Sequence, residues 1–397
     1  MTSPQAGSDH PMKGSALLEK LNAKSATVGV IGLGYVGLPL AVTAASRGNT
    51  IIGFDIDEKK LGHLESGVSY IDAVRDDALA EVSGSTFRWT ADFSQLNACD
   101  VIVICVPTPL SSHREPDLSF VESAATHIAQ NLTPETLIIL ESTTYPGTAD
   151  DIMTPILETS GLKAGEDFFV ASSPEREDPG NQNFHTATIP KIVGGNGEMA
   201  GRLAQQFYSG VVDHVVPVSS TRTAEAVKIT ENIFRAVNIG LVNELKVIYD
   251  SMDVDIWEVI DGAATKPFGF MPFYPGPGLG GHCIPIDPFY LTWKAREHDL
   301  ATRFIELAGD INNTMPRYVV NRAREIIDQK HGRGLRDACI LIVGVAYKKN
   351  ISDVRESPAL RIMERLHEQN VNVDFLDPMV AELPQMDEFP YLGGKPS

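Results

Sequence analysis

The feature that most restricts the fold is residues 27–57, TVGVIGLGYVGLPLAVTAASRGNTIIGFDID. A short apolar run at 28–31 leads into glycines at 32, 34 and 37. An apolar helical pattern follows as far as Ala45, and a second apolar run ends at Asp55. That order is a βαβ unit with G-x-G-x-x-G at its first turn. Gly32 permits the tight turn, Gly34 lets the backbone approach a pyrophosphate, and Gly37 lets the helix pack on the strand. The helix N-terminus then faces the phosphates. Asp55, 18 residues beyond Gly37, ends the second strand, where a carboxylate can accept from both ribose hydroxyls. The same carboxylate repels a 2′-phosphate, so NAD is expected rather than NADP. Lys59 and Lys60, close by, are the opposing feature.

The alternation continues through the first 215 residues. DVIVICV at 100–106 is a buried strand by its continuous β-branched run and ends in PTP at 107–109. TLIIL at 136–140 is another, followed by ESTTYPGT, and residues 168–171 and 192–195 read as two more. Strands separated by helical stretches imply an α/β fold with a parallel, doubly wound sheet. Ligands of such sheets bind at the carboxyl ends of the strands, which makes Thr108, Thr143 and Glu175 candidate site residues. Cys105, inside an apolar strand, reads as a core thiol.

Charge limits the partners. The 397 residues carry 33 Lys+Arg against 52 Asp+Glu, a formal net charge of −19. Such a surface repels nucleic acid and anionic membrane, so neither is expected as a partner. An anionic substrate must be met by local cations or helix N-termini. Residues 1–13 are polar, and no apolar run approaches bilayer length. The four cysteines, at 99, 105, 283 and 339, have neither metal-ligand spacing nor disulfide density. A reducing cytoplasm is the expected location, and no metal site is expected.

Residues 220–250 carry apolar positions at helical spacing, with Thr221 or Thr223 as the expected cap. Lys228 and Asn232 are i, i+4 and share a face. Lys228 is either a snorkelling surface lysine or a buried site group beside that Asn. Residues 253–264 read as a second helix. Then comes GPGLGGHCIPIDP at 276–288, whose glycines give a backbone able to approach a ligand closely. Cys283 in this loop sits beside His282 and four residues before Asp287. One His plus one Cys is not a zinc site, which leaves a nucleophile or an inert loop cysteine.

Taken in order, GLGYVGLPLA, CVPTP, ESTTYPGT, SSPEREDPGN, EAVKITEN, GPGLGGHCIPIDP and GVAYKKNISDVRESPAL resemble the UDP-glucose/GDP-mannose dehydrogenases, the nucleotide-sugar 6-dehydrogenases. The likeness extends over about residues 24–380. GGHCIPIDPFYL and SPEREDPGN are most similar to the UDP-N-acetylhexosamine branch, and to UDP-N-acetylglucosamine 6-dehydrogenases in particular. The UDP-glucose branch has a lysine just before the aspartate after its cysteine, and Ile286 departs from it.

The resemblance implies a four-electron, NAD-dependent oxidation of a C6 alcohol through a thiohemiacetal and a thioester on Cys283. Lys228 would stabilise the oxyanion, Asn232 would hold the C6 oxygen, Asp287 and Thr143 would direct water, and Glu175 would assist proton transfer. Tyr35, Val36, Lys60, Thr108 and Thr143 would join the glycines and Asp55 in holding the cofactor. Tyr274, Gly280, Tyr347 and Lys348 would join Lys228 and Asn232 around the UDP-sugar.

The resemblance also implies an organisation. Residues 1–23 would be a flexible terminus, 24–217 the NAD-binding domain, 218–325 a central helical domain and 326–397 the UDP-binding domain. In that last part, residues 337–347 and 371–377 read as strands around a helix at 358–368, with Cys339 in the core. Lys348, Lys349 and Arg355 supply positive charge for the diphosphate. Two strands and one helix do not make a complete doubly wound sheet, so the domain is expected to be truncated. Apolar positions at Ile233, Phe234, Val237, Leu241 and Leu245 imply a homodimer through the central helix. Rival readings are a UDP-N-acetylmannosamine or UDP-glucose dehydrogenase, a β-hydroxyacid dehydrogenase that needs no cysteine, and a catalytically dead NAD-binding assembly protein.

Overall fold

The computed structural model describes residues 13–111, 115–176, 185–281, 284–386 and 388–397. It divides into two compact units, the first running to Lys228 and the second continuing from Ile229.

The first unit is built on eight strands: β1 Thr27–Ile31, β2 Thr50–Phe54, β3 Phe87–Thr90, β4 Val101–Ile104, β5 Leu137–Leu140, β6 Phe169–Ser172, β7 Lys191–Gly195 and β8 Val215–Val218. They lie in the order β3-β2-β1-β4-β5-β6-β7-β8. The reversal between β1 and β4 is the switch point of a doubly wound sheet. VIVI and LIIL are buried at every position because helices cover both faces, which is why they read as continuous apolar runs. One core lies under the helices Gly37–Ser46 and Glu198–Ser209, and the other under Ser119–Asn131.

The sequence reading missed β3 and β8. Both are edge strands of four residues with half-exposed patterns, and Pro217 in β8 is tolerated only because an edge strand has no partner on one side. The sheet is also not wholly parallel. β7 runs antiparallel to β6, pairing through Ala171↔Gly195 and Ser172↔Gly194. A parallel neighbour needs a crossover, and among the described residues of 173–190 there is no helix to make one.

In the second unit the helix Thr221–Asp250, which begins in the first unit, is followed by Ile256–Ala264, Asp287–Arg296 and Arg303–His331. The long helix is capped by Ser220, whose Oγ accepts from the Thr223 N–H at 3.2 Å, and not by either threonine expected. Asn243 and Asn312, both buried, join two of these helices. Asn243 Nδ2 donates to Asn312 Oδ1 at 2.8 Å, and Asn312 Nδ2 donates to the Ala236 carbonyl at 3.1 Å. The remaining acceptor of Asn243 takes the Gly276 N–H at 2.9 Å, so the same network holds the start of the glycine-rich loop.

β9 Cys339–Val343 and β10 Asn372–Leu376 pair in parallel, with the helix Pro358–Glu368 packed on one face. Cys339 is exposed rather than in the core. The helix covers only the face bearing Ile340 and Ile342, and Cys339, Leu341 and Val343 alternate onto the other. At the end of β10, Asp377 Oδ2 accepts from the Val345 and Ala346 N–H groups at 2.8 and 3.3 Å, fixing the turn after β9. Burial opposes its ionisation, but the backbone donors prevail and hold its carboxyl below the usual range.

Asn243→Ala should destabilise the protein by about 1–3 kcal/mol, because it strands the Asn312 amide oxygen and the Gly276 N–H. Urea denaturation of the variant beside the parent protein measures this.

Candidate active site

The glycine turn after β1 shows which glycines the protein needs for itself. Gly32 has φ +89°, and a Cβ there would sit 2.6 Å from the Cys105 carbonyl oxygen. A Cβ on Gly37 would fall on the Gly32 carbonyl oxygen, so only glycine lets this helix meet the turn. Gly34 differs, since a Cβ there would meet nothing within 4 Å. Its missing side chain is not explained by the protein's own packing. The open position in front of a helix N-terminus fits a pyrophosphate. Tyr35 is exposed and Val36 half-buried beside it.

Asp55 is buried at the end of β2. Its Oδ2 accepts from the Leu33 N–H at 2.8 Å and from Lys60 Nζ at 3.0 Å, and its Oδ1 accepts from the Asp57 N–H at 2.9 Å. A carboxylate has about four acceptor positions, so one is left on Oδ1 for a hydroxyl. Tyr70, unmarked in the sequence, donates to the Leu33 carbonyl at 2.5 Å and pins the same turn.

Thr108 and Thr143 are brought together where β4 and β5 end, the Thr108 hydroxyl donating to the Thr143 carbonyl at 2.7 Å. Beside them lies a buried polar cluster that the sequence reading passed over. Glu141, the first residue after β5, is fully buried, and Lys191 opens β7 with its side chain 5% exposed. Lys191 Nζ pairs directly with Glu141 Oε1 and lies 3.4 Å from Glu175 Oε2. Tyr208 donates to Glu141 Oε2 at 2.9 Å, and Lys191 Nζ sits 5.3 Å from its ring centre. Burial pulls the Lys191 ammonium down to about 7, the Cys105 sulfur opposing and the Lys228 charge adding to the fall. The available signal was a lysine directly before an apolar strand and a glutamate directly after one.

Lys228, the last residue of the first unit, is buried and does not snorkel. One turn earlier on its helix, Glu225 accepts from the Gly147 and Ala149 N–H groups at 2.6 and 2.9 Å. It thereby ties the helix to the loop carrying Thr143. Burial pushes the Glu225 carboxyl up to about 8 against the pull of those two donors.

In the second unit Asn232 and Asp287 are both buried, and Asn232 Nδ2 donates to Asp287 Oδ2 at 2.6 Å. Cys283 and His282 lie outside the described residues. The preceding glycines pack on the chain itself. A Cβ on Gly280 would lie 2.6 Å from Tyr347 Cβ, and one on Gly281, with φ +84°, would lie 2.7 Å from the Tyr347 ring. The loop backbone therefore rests on Tyr347, and Lys348 beside it is half-buried. Tyr274 is exposed and donates to Asp261 at 2.7 Å. Arg355 donates to both carboxylate oxygens of Asp353, so its charge is already matched. Among the described residues no three His, Cys, Asp or Glu side chains form a metal-holding group.

Comparison with known proteins shows the family. The NAD binding domain of the UDP-glucose/GDP-mannose dehydrogenase family matches residues 26–212, its central domain 222–314 and its UDP binding domain 341–392. The chain belongs to this family. It is 36% identical to the UDP-N-acetyl-D-glucosamine 6-dehydrogenase of Pseudomonas aeruginosa, over 92% of this chain and 86% of that one. It is also 36% identical to the UDP-N-acetyl-D-mannosamine dehydrogenase of Pyrococcus horikoshii, over 89% and 84%. The solved UDP-D-ManNAc dehydrogenase structure from Pyrococcus horikoshii superimposes with a TM-score of 0.84 at 37% identity, covering 89% of this chain and 84% of that one.

Glu225 makes a testable contribution to stability. Its folded value, about 8, lies above the 4.5 of a free glutamate, so the folded state holds the proton more tightly. That contribution is complete below about pH 4.5 and is lost as pH rises to about 8. The stability of the parent relative to Glu225→Gln should fall across this window by at most about 1.4 kcal/mol per pH unit. Denaturation curves of both proteins at a series of pH values check the sign.

Proposed function

We propose that the protein oxidises the C6 alcohol of a UDP-N-acetylhexosamine, UDP-N-acetylglucosamine first, to the uronic acid in two NAD-dependent steps. The observation that carries this reading is the buried Asn232–Asp287 pair, held at 2.6 Å on elements that flank the cysteine loop. Both side chains are more than nine-tenths buried, and a carboxylate and an amide withdrawn from water side by side supply the fixed polar groups that orient a ligand in a site.

The cofactor is held by the turn of Gly32, Gly34 and Gly37, by Asp55 with Lys60, and by Tyr35, Val36, Thr108 and Thr143 at the strand ends. When bound, NAD supplies the hydride acceptor for both oxidations. The residues of the chain do the rest. Asn232 holds the C6 oxygen, and Lys228 places a cation where negative charge develops on it. The Cys283 thiolate adds to the C6 aldehyde to give a thiohemiacetal, whose oxidation gives a thioester. Asp287, with Thr143, directs the water that releases the acid, and Glu175 takes up and returns protons. Tyr347 and Lys348 receive the uridine and phosphate, with Tyr274 and Gly280 beside them.

Relatives acting on the gluco and manno sugars stand at the same identity, so the choice of sugar rests on the loop motif. Supply of a uronic acid for surface polysaccharide follows from that choice. Phe234 and Leu241, 47% and 51% exposed on the long helix, support a homodimer through that helix. A catalytic thiol that must stay reduced fits a cytoplasmic setting.

A turnover assay with UDP-N-acetylglucosamine, UDP-N-acetylmannosamine and UDP-glucose should show the first as best substrate, with two NADH formed per product. One NADH per product would overturn the thioester route, and a preference for UDP-N-acetylmannosamine would overturn the sugar assignment. Lys228→Ala should lower kcat by about 10²–10³-fold, the loss expected for one oxyanion-stabilising group. Steady-state kinetics at saturating NAD measure it.

A further inference from the structure

The buried cluster at the ends of β5, β6 and β7 contains a charge that the proposed chemistry does not use. We propose that Lys191 is a positioning residue for Glu175: its ammonium holds Glu175 as a carboxylate, and Glu141 and Tyr208 hold the ammonium in place. The proposal rests on the reading of Glu175 as the acid–base group.

Lys191 stands between the two carboxylates. It pairs with Glu141 on one side and lies 3.4 Å from Glu175 Oε2 on the other, with its side chain 5% exposed. Glu141 also takes the Tyr208 hydroxyl at 2.9 Å, and the Cys105 sulfur lies 4.0 Å from its Oε2. Glu141 thus has partners on both oxygens inside the protein and is fully buried. Glu175, whose side chain is 12% exposed, is the member of the cluster nearest solvent. Its Oε1 accepts the Arg176 N–H at 2.6 Å. An ion pair whose only task was to neutralise itself would need one carboxylate; the second, at the strand end, is the one placed to meet a ligand.

Among the described residues, titratable groups in this cluster with Glu175 include Lys191 on β7, Glu141 after β5 and Tyr208 on the helix Glu198–Ser209. Cys105 and Lys228 act on Lys191 at longer range. Neighbouring Arg176 donates from its guanidinium to the Pro190 carbonyl at 2.6 Å. Lys191 is a cation in direct reach of the Glu175 carboxylate, its Nζ 3.4 Å from Oε2. An opposite charge within about 4–6 Å lowers a carboxyl pKa by about 1–3 units, so removing it should raise Glu175 by that much. The ionised form exists above the pKa, so base activity is then lost at a higher pH.

The test is the titration of Glu175 in the full-length protein, followed by its protonated carboxyl infrared band, which Glu175→Gln assigns by its disappearance. In Lys191→Met the band should titrate about 1–3 pH units higher than in the parent. Lys191→Arg should return it towards the parent value. If the Met variant does not fold, Lys191→Gln, which keeps a donor for Glu141, should show the same upward move. The acidic limb of kcat/KM should shift by the same amount, with NAD affinity unchanged. An unmoved band, or a rate lowered equally at every pH, overturns the proposal and leaves Lys191 a structural partner of Glu141. The infrared titration needs no substrate, so absence of UDP-sugar turnover in the parent would count against the proposed function alone.

Discussion

An ammonium removed from water destabilises a fold unless carboxylates take the place of that water, and Lys191 meets this condition through Glu141. The pair reaches from the residue after β5 to the first residue of β7, across the strand between them. It spans the place where the sheet stops being parallel and where β6 and β7 share only two residue pairs. Losing Lys191 would leave the Glu141 carboxylate buried without a cation, at a cost of about 3–5 kcal/mol. The strand ends that display Thr108, Thr143 and Glu175 are therefore held by an electrostatic contact as well as by the ladder.

The same logic governs how an acidic chain receives anionic ligands. With a net charge of −19, the surface as a whole repels a dinucleotide and a UDP-sugar. On the proposed function, attraction comes from local groups: the helix end behind Gly34, Lys60 beside Asp55, buried Lys228 and half-buried Lys348. Two strand-end aspartates play matching structural parts. Asp55 fixes the turn after β1, and Asp377 fixes the turn after β9, each by accepting backbone N–H groups.

Much of this was legible in the residues because it is written locally. The glycine spacing at 32, 34 and 37 follows from backbone sterics, and the runs VIVI and LIIL follow from burial on both faces. The pair Lys228 and Asn232 was legible from helical spacing, although only the structure shows that both side chains are buried. What escaped depends on contacts distant in sequence. Lys191 and Glu141 are 50 residues apart, and Asn243 and Asn312 are 69 apart, so no local pattern marks either pair. Cys339 was misplaced because an apolar strand suggests a core even where a helix covers only one of its faces.

On the proposed function, this family member works through a covalent bond to its loop cysteine. The most direct measurement is the intact and peptide mass of Asp287→Asn protein, quenched in acid after mixing with NAD and UDP-N-acetylglucosamine. Slowed hydrolysis should leave the UDP-sugar acyl group on the peptide containing Cys283, and Cys283→Ser should abolish both the adduct and the product. Uronic acid formed by Cys283→Ser at the parent rate, with no adduct in either protein, would contradict the account.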